Sequence, residues 1–177
     1  MYSKKIRILS QYIPPLKLII RQLPLVFCLL CFVLLLSCNK NRVYEDYQAI
    51  NNYVWKYDST LNFEINIEDT SAVYNAFLYV RHIHKYKYSN IWFFTKIIRP
   101  DFSFALDTVE CILAKDNGQW LGDGLGDIWD YKHNWYPYNS TIFNKKGKYK
   151  IQIKQAMRDS LLIGIMDIGV GIYKVTY

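Results

Sequence analysis

Residues 61–68, Leu61-Asn62-Phe63-Glu64-Ile65-Asn66-Ile67-Glu68, alternate apolar and polar without exception. Successive side chains of a strand point to opposite faces, so Leu61, Phe63, Ile65 and Ile67 share one dry face while the other stays in water. A helix cannot bury that period. A half-buried strand needs antiparallel partners and a second layer over its apolar side.

The rest of the chain offers both. Residues 74–81 form a second expected strand, apolar on both faces and so more central. Residues 91–98 form a third, stopped by Pro100, which cannot donate to a ladder. Val109, Cys111 and Leu113 alternate with Thr108, Glu110 and Ile112 in a fourth. Asp116-Asn117-Gly118 follows as a turn, because Asn and Gly tolerate positive φ. Tyr149, Ile151 and Ile153 alternate with Lys150, Gln152 and Lys154 after a turn at Lys145-Lys146-Gly147, and a last strand is expected near residues 168–175. The one helical hint, residues 155–160, is too short to stand alone. Short alternating strands between turn signals predict an all-β antiparallel sandwich, jelly-roll or Greek-key-like, in place of βαβ units.

The amino terminus has a different character. Lys4, Lys5, Arg7, Lys17 and Arg21 precede an uncharged run over residues 23–36 that ends in Ser37-Cys38. As a helix that run spans roughly 21 Å, short of the ~30 Å hydrocarbon core, so an export signal fits better than a membrane-spanning anchor. The basic start, apolar middle and small residue before a cysteine read as a lipoprotein signal over residues 1–37. Cys38 then becomes the first mature residue and carries acyl chains such as palmitate. Residues 38–52, polar and largely aperiodic, read as a tether, and residues 53–177 as the sandwich domain.

Removing the leader changes the chemistry. The formal charge of +7 includes five basic and no acidic leader residues, so the mature chain is near neutral and nucleic-acid binding loses its main support. Of the four cysteines, Cys28 and Cys31 leave with the leader and Cys38 is acylated. Cys111 is left alone and no intrachain disulfide can form. Its place on the apolar side of its strand, with Val109 and Leu113, makes it a buried filler.

Several motifs invite chemistry. Gly122-x-Gly124-x-Gly126 lacks the spacing, preceding strand and following helix of a dinucleotide fingerprint. A tight loop presenting Trp120, Asp123, Asp127 and Trp129 at one end of the sandwich is the expectation. Asp123, Asp127 and Asp130 do not match an EF-hand spacing. His82 and His84 share a strand face, which is half a zinc site, with only His133 or a carboxylate to complete it. No nucleophile, metalloprotease or Cys-His signature occurs. No cofactor, metal or catalytic residue is assigned, and the chain reads as a non-enzyme.

Asn41-Arg42-Val43-Tyr44-Glu45, then Trp120-Leu121-Gly122-Asp123-Gly124-Leu125-Gly126-Asp127, then Gln155-Ala156-Met157-Arg158 and the closing Ile165-x-x-Ile168-Gly169 follow the signal in a fairly specific order. In this the mature chain resembles the GldH family of gliding-motility lipoproteins of Bacteroidetes. The resemblance implies association with the gliding machinery and the type IX secretion system, and supplies no catalytic residues. A lipid-anchored accessory subunit acting through protein contacts is the expected function, with a partner face among Trp55, Tyr86, Tyr88, Trp135 and Tyr138. The alternative is a surface or periplasmic glycan-binding sandwich, which requires Trp120, Trp129 and Trp135 to line one exposed platform. Arg158 is expected to pin the last strand by pairing with Asp159 or Asp167. Residues 39–42 lack an acidic run resembling surface-export signals, which favours a periplasm-facing position.

Overall fold

The computed structural model describes residues 41–136 and 143–175, and among them the chain is β-structure with no α-helix. The strands are β1 (Arg42–Ala49), β2 (Val54–Lys56), β3 (Leu61–Ile67), β4 (Tyr74–Ile83), β5 (Asn90–Ile98) and β6 (Phe104–Ile112). They continue with β7 (Asp123–Leu125), β8 (Ile128–Tyr136), β9 (Gly147–Gln155), β10 (Leu161–Ile163) and β11 (Ile165–Lys174). One sheet has the order β1-β11-β4-β8-β7, the other β3-β9-β5-β6, and β10 pairs with β2 in a small ribbon. Every pairing is antiparallel. Most connections cross from one sheet to the other, and the result is the sandwich that the alternation predicts.

β3 shows why the pattern is decisive. Leu61, Phe63, Ile65 and Ile67 are buried and the residues between them are exposed, with no break in the order. They share one core with Leu78 and Val80 of β4, Phe93 and Ile97 of β5, Ile151 and Ile153 of β9, and Ile168, Val170 and Ile172 of β11. Burying side chains of this size contributes about 1.5–3 kcal/mol each. β11 is buried on its second face as well, because Gly169 admits the Tyr47 ring. A Cβ there would stand 2.6 Å from that ring.

Residues 42–49 are not part of a tether. They form β1, whose register sets Glu45 against Gly171 and Tyr47 against Gly169. An apolar alternation is missing because polar side chains hold this edge strand. The Gln48 amide donates to the Asn62 carbonyl, and the Asn62 N–H donates to Gln48 Oε1 at 3.2 Å, tying β1 to β3 in the opposite sheet. Tyr44 packs onto the core from the inner side.

Residues 155–160 are likewise not helical. Gln155 closes β9 as a buried residue. Its side-chain amide donates to the Asp159 carbonyl at 2.7 Å and its Oε1 accepts from Met157 N–H at 2.8 Å. Local side-chain bonds of this kind compete with helical ones. The short strands β2, β7 and β10, and the polar β8, carry too little periodicity to be picked out by alternation.

The two readings of residues 42–49 separate experimentally. Deleting them strips β11 of a neighbour, so the shortened domain should lose its β-sheet circular dichroism or aggregate through the bared edge. A tether deletion would leave spectrum and elution volume unchanged.

Candidate interaction surface

The glycine-rich stretch is the edge of a sheet and not a free loop. Asp123–Leu125 is β7, paired to β8 with Leu125 opposite Ile128 and Gly126-Asp127 as the two-residue turn. Gly126 has φ 61 and Asp127 does not have positive φ, which suits a turn needing that conformation only at its first central residue. Gly122 has φ 83, and a Cβ on it would lie 2.2 Å from the main-chain oxygen of Asp130. Here the glycine is required by backbone approach and by conformation together.

The side chains expected at this end do not present a binding platform. Trp120 is half-buried, its ring edge-on to His82 at 4.5 Å, and its Nε1 donates to His84 Nδ1 at 3.2 Å. Trp129 lies over Gly124. Trp135 is 6% exposed and belongs to the core. Asp130 faces Arg81 at 2.8 Å, while the Asp127 carbonyl accepts from His84 N–H at 2.8 Å. Among the described residues no three His, Cys, Asp or Glu side chains gather as metal ligands.

His82 and His84 also part company. His82 is fully buried at the end of β4, with Nδ1 3.2 Å from the Ile83 carbonyl, whereas His84 lies past the strand end and is exposed. Burial pushes the His82 imidazole below its ordinary value and does the same to His133. Cys111 is buried as expected. Burial first, and the charge of Glu110 second, push its thiol up, so it is no nucleophile at neutral pH.

Arg158 does not pin the last strand. It is exposed, and both expected partners are taken, Asp159 by Lys87 at 2.8 Å and Asp167 by Arg81 at 3.2 Å. The tie is Arg81, which stands between Asp130 and Asp167 on the outer face of the five-stranded sheet. A charged residue inside an otherwise apolar central strand was the available signal. On the same face Lys132 Nζ lies 3.8 Å above the Phe77 ring, and the Tyr173 hydroxyl donates to Glu45. That face is already occupied by its own contacts.

The outer face of the other sheet is different, and it carries a cluster of exposed aromatics. The partner face expected at Trp55, Tyr86 and Trp135 is overturned, since all three are buried, and Tyr88 is half-buried. Tyr138 lies outside the described residues. Trp92 and Phe94 of β5, at 37% and 51% exposure, stand beside Phe104, Leu106 and Ile112 of β6. The register pairs Trp92 with Glu110, Phe94 with Thr108, Lys96 with Leu106 and Ile98 with Phe104. Lysines border the patch: Lys154 lies opposite Phe94, and Lys96 Nζ is 4.5 Å above the Phe104 ring. A shallow groove runs between Phe94, Lys96, Leu106, Gln152 and Lys154. β6 is also an edge strand of its sheet, with no strand beyond it. Contiguous exposed apolar area beside an open edge marks a contact surface. The signal was present in residues 91–98, where both phases of the alternation are apolar.

These features define a β-sandwich with an exposed apolar patch on one sheet face. The chain belongs to the GldH lipoprotein family, whose model matches residues 42–172, from the first residue of β1 into β11. It is 41% identical over 149 residues to a gliding motility lipoprotein GldH homolog of Christiangramia forsetii, covering 80% of this chain and 90% of that protein. It is 34% identical over 148 residues to the gliding motility lipoprotein GldH of Flavobacterium johnsoniae, with the same coverage of 80% and 90%. Family membership makes it a membrane-anchored protein of the cell envelope. Among solved structures, the infectious bursal disease virus VP2 subviral particle matches with TM-score 0.39 and 17% identity, over 78% of this chain and 34% of that one. A β-porphyranase of Bacteroides plebeius matches with TM-score 0.34 and 15% identity, over 79% and 22%.

Two measurements check this geometry. Gly122→Ala forces a side chain against main chain and should cost about 2–4 kcal/mol, whereas Gly126→Ala, with open space around it, should cost about 1–2 kcal/mol for φ alone. Urea midpoints report the difference. For the histidines, the unfolded chain binds protons first, because the folded value lies below the ordinary 6.5. Stability is therefore full above pH 6.5 and falls as pH drops from there toward the folded values, by at most about 1.4 kcal/mol per pH unit per group. His82→Phe should flatten part of that slope and leave the part due to His133.

Proposed function

We propose that this chain is a non-catalytic accessory subunit of the gliding and type IX secretion apparatus, held by acyl chains on Cys38 and docking protein partners through the outer face of β5 and β6. The carrying observation is the patch of Trp92, Phe94, Phe104, Leu106 and Ile112, left uncovered beside an open strand edge. Aromatic anchors with a charged border are what protein contact surfaces use. Acylation confines the sandwich to two dimensions and raises the effective concentration of partners on the same membrane. A periplasm-facing position fits the absence of an acidic run after Cys38. A glycan platform loses its support, because Trp120, Trp129 and Trp135 do not share an exposed plane.

Trp92→Ser with Phe94→Ser tests this. Two anchors of this kind contribute about 1–2 kcal/mol each, so capture of envelope partners should fall at least roughly tenfold while folding and membrane recovery stay intact. Spreading of a gliding host and secretion should fail alongside. Unchanged capture and unchanged spreading would remove this face from the function.

A further inference from the structure

The end of the sandwich where the described chain begins carries a second feature that the docking face does not explain. The Asn41 carbonyl accepts from Lys174 N–H at 2.8 Å, which fixes the start of the domain against the last residue of β11. Cys38 is three residues earlier in the sequence, and three peptide units reach no farther than about 11 Å. A nine-residue strand of this sandwich is about 30 Å long. A lipid on so short a leash keeps the Asn41 end at the membrane surface and holds the opposite end a strand length away.

A continuous chain of contacts runs from Asn41 to the tip of the β5–β6 hairpin. Lys174 pairs with Asp69 at 3.0 Å, Lys146 with neighbouring Glu68 at 2.9 Å, and Lys145 with Asp101. The hairpin tip therefore lies at the same end, about two strand spacings from β3, or roughly 10 Å. At that tip stands Phe102, 86% exposed. It has φ 64, in the left-handed region that a residue with a Cβ rarely adopts. The tip is built to hold it there. Phe102 N–H donates to the Arg99 carbonyl at 2.9 Å, Arg99 N–H to the Ser103 carbonyl at 2.8 Å, and Ser103 N–H to Asp101 Oδ1 at 3.3 Å. Strain kept at a solvent-directed aromatic is a mark of a functional position.

The charges around the tip suit a headgroup layer. The carboxylates at this end, Glu68, Asp69 and Asp101, are each neutralised by a lysine. Arg42 and Arg99 form no ion pair among the described residues. The surplus is cationic, which favours an anionic lipid surface.

We infer that Phe102 is a second membrane contact, inserting at the headgroup–acyl boundary beside the lipidated terminus and fixing the orientation of the sandwich on the bilayer. One acyl chain set holds a body without orienting it. A second point on the opposite sheet at the same end removes that rotation and stands the β5–β6 face upright and accessible from the side. The inference rests on acylation of Cys38.

The test uses the full mature chain purified from membranes and placed in phosphatidylethanolamine–phosphatidylglycerol vesicles. Cys111 is buried, so an environment-sensitive dye attached through Ser103→Cys labels the tip alone, and Asp116→Cys labels the far end as control. The dye at 103 should shift to the blue and be quenched by doxyl-labelled lipid, the dye at 116 should not, and Phe102→Asp should abolish the effect at 103. Mass spectrometry of the amino-terminal peptide reads acylation independently. An acylated chain whose tip probe stays in water overturns the inference and leaves the anchor standing. An amino-terminal peptide without acyl mass overturns both.

Discussion

The stripe of Ile168, Val170 and Ile172 on β11, sharing one core with Phe63, Ile65 and Ile67 of β3 and their neighbours on β5 and β9, is the contact on which the rest of the molecule depends. Among the described residues Cys111 is the lone cysteine, and it is buried and free, so apolar packing between two sheets carries the fold. That constraint explains the neighbours of β11. It lies between β1 and β4, and Gly169 lets an aromatic ring close over its outer side. The five-stranded sheet is thereby sealed on both faces, inside by the core and outside by Arg81, Lys132 and the tyrosines. The four-stranded sheet is sealed on one face only.

This asymmetry separates what the residues announced from what they concealed. β3 was legible to the last residue because one face is in water and the other in the core, so burial and polarity carry the same signal. β1 was not, because Gln48 and the Tyr47–Gly169 packing hold it with side-chain bonds and shape, which leave no apolar period. Gly122-x-Gly124-x-Gly126 carries the composition of a loop, yet the backbone pairing of β7 with β8 needs no side-chain signature. Tryptophans mislead for a related reason. Trp55 and Trp135 are large enough to serve equally in a core or on a surface, and only tertiary packing decides. In residues 91–98 both phases are largely apolar, and the surplus phase, Trp92 and Phe94, was the mark of an exposed apolar sheet face.

Functionally the molecule divides by direction. One sheet face offers aromatic surface and an open strand edge, one end holds the start of β1, and no three His, Cys, Asp or Glu side chains gather as metal ligands among the described residues. On the proposed reading, this gliding-motility lipoprotein works by being in a place and an orientation. On this account its specificity lies in Trp92, Phe94, Leu106 and the lysines that border them, and its placement in Cys38 and the Phe102 tip.

The central claim is that partners meet the β5–β6 face. Photo-crosslinking in living cells tests it most directly, with a photoreactive amino acid placed singly at Phe94, at Leu106 and, on the outer face of the opposite sheet, at Lys132. The account predicts adducts with envelope proteins from positions 94 and 106 and none from 132. Adducts from 132 alone, with silence at 94 and 106, would contradict it.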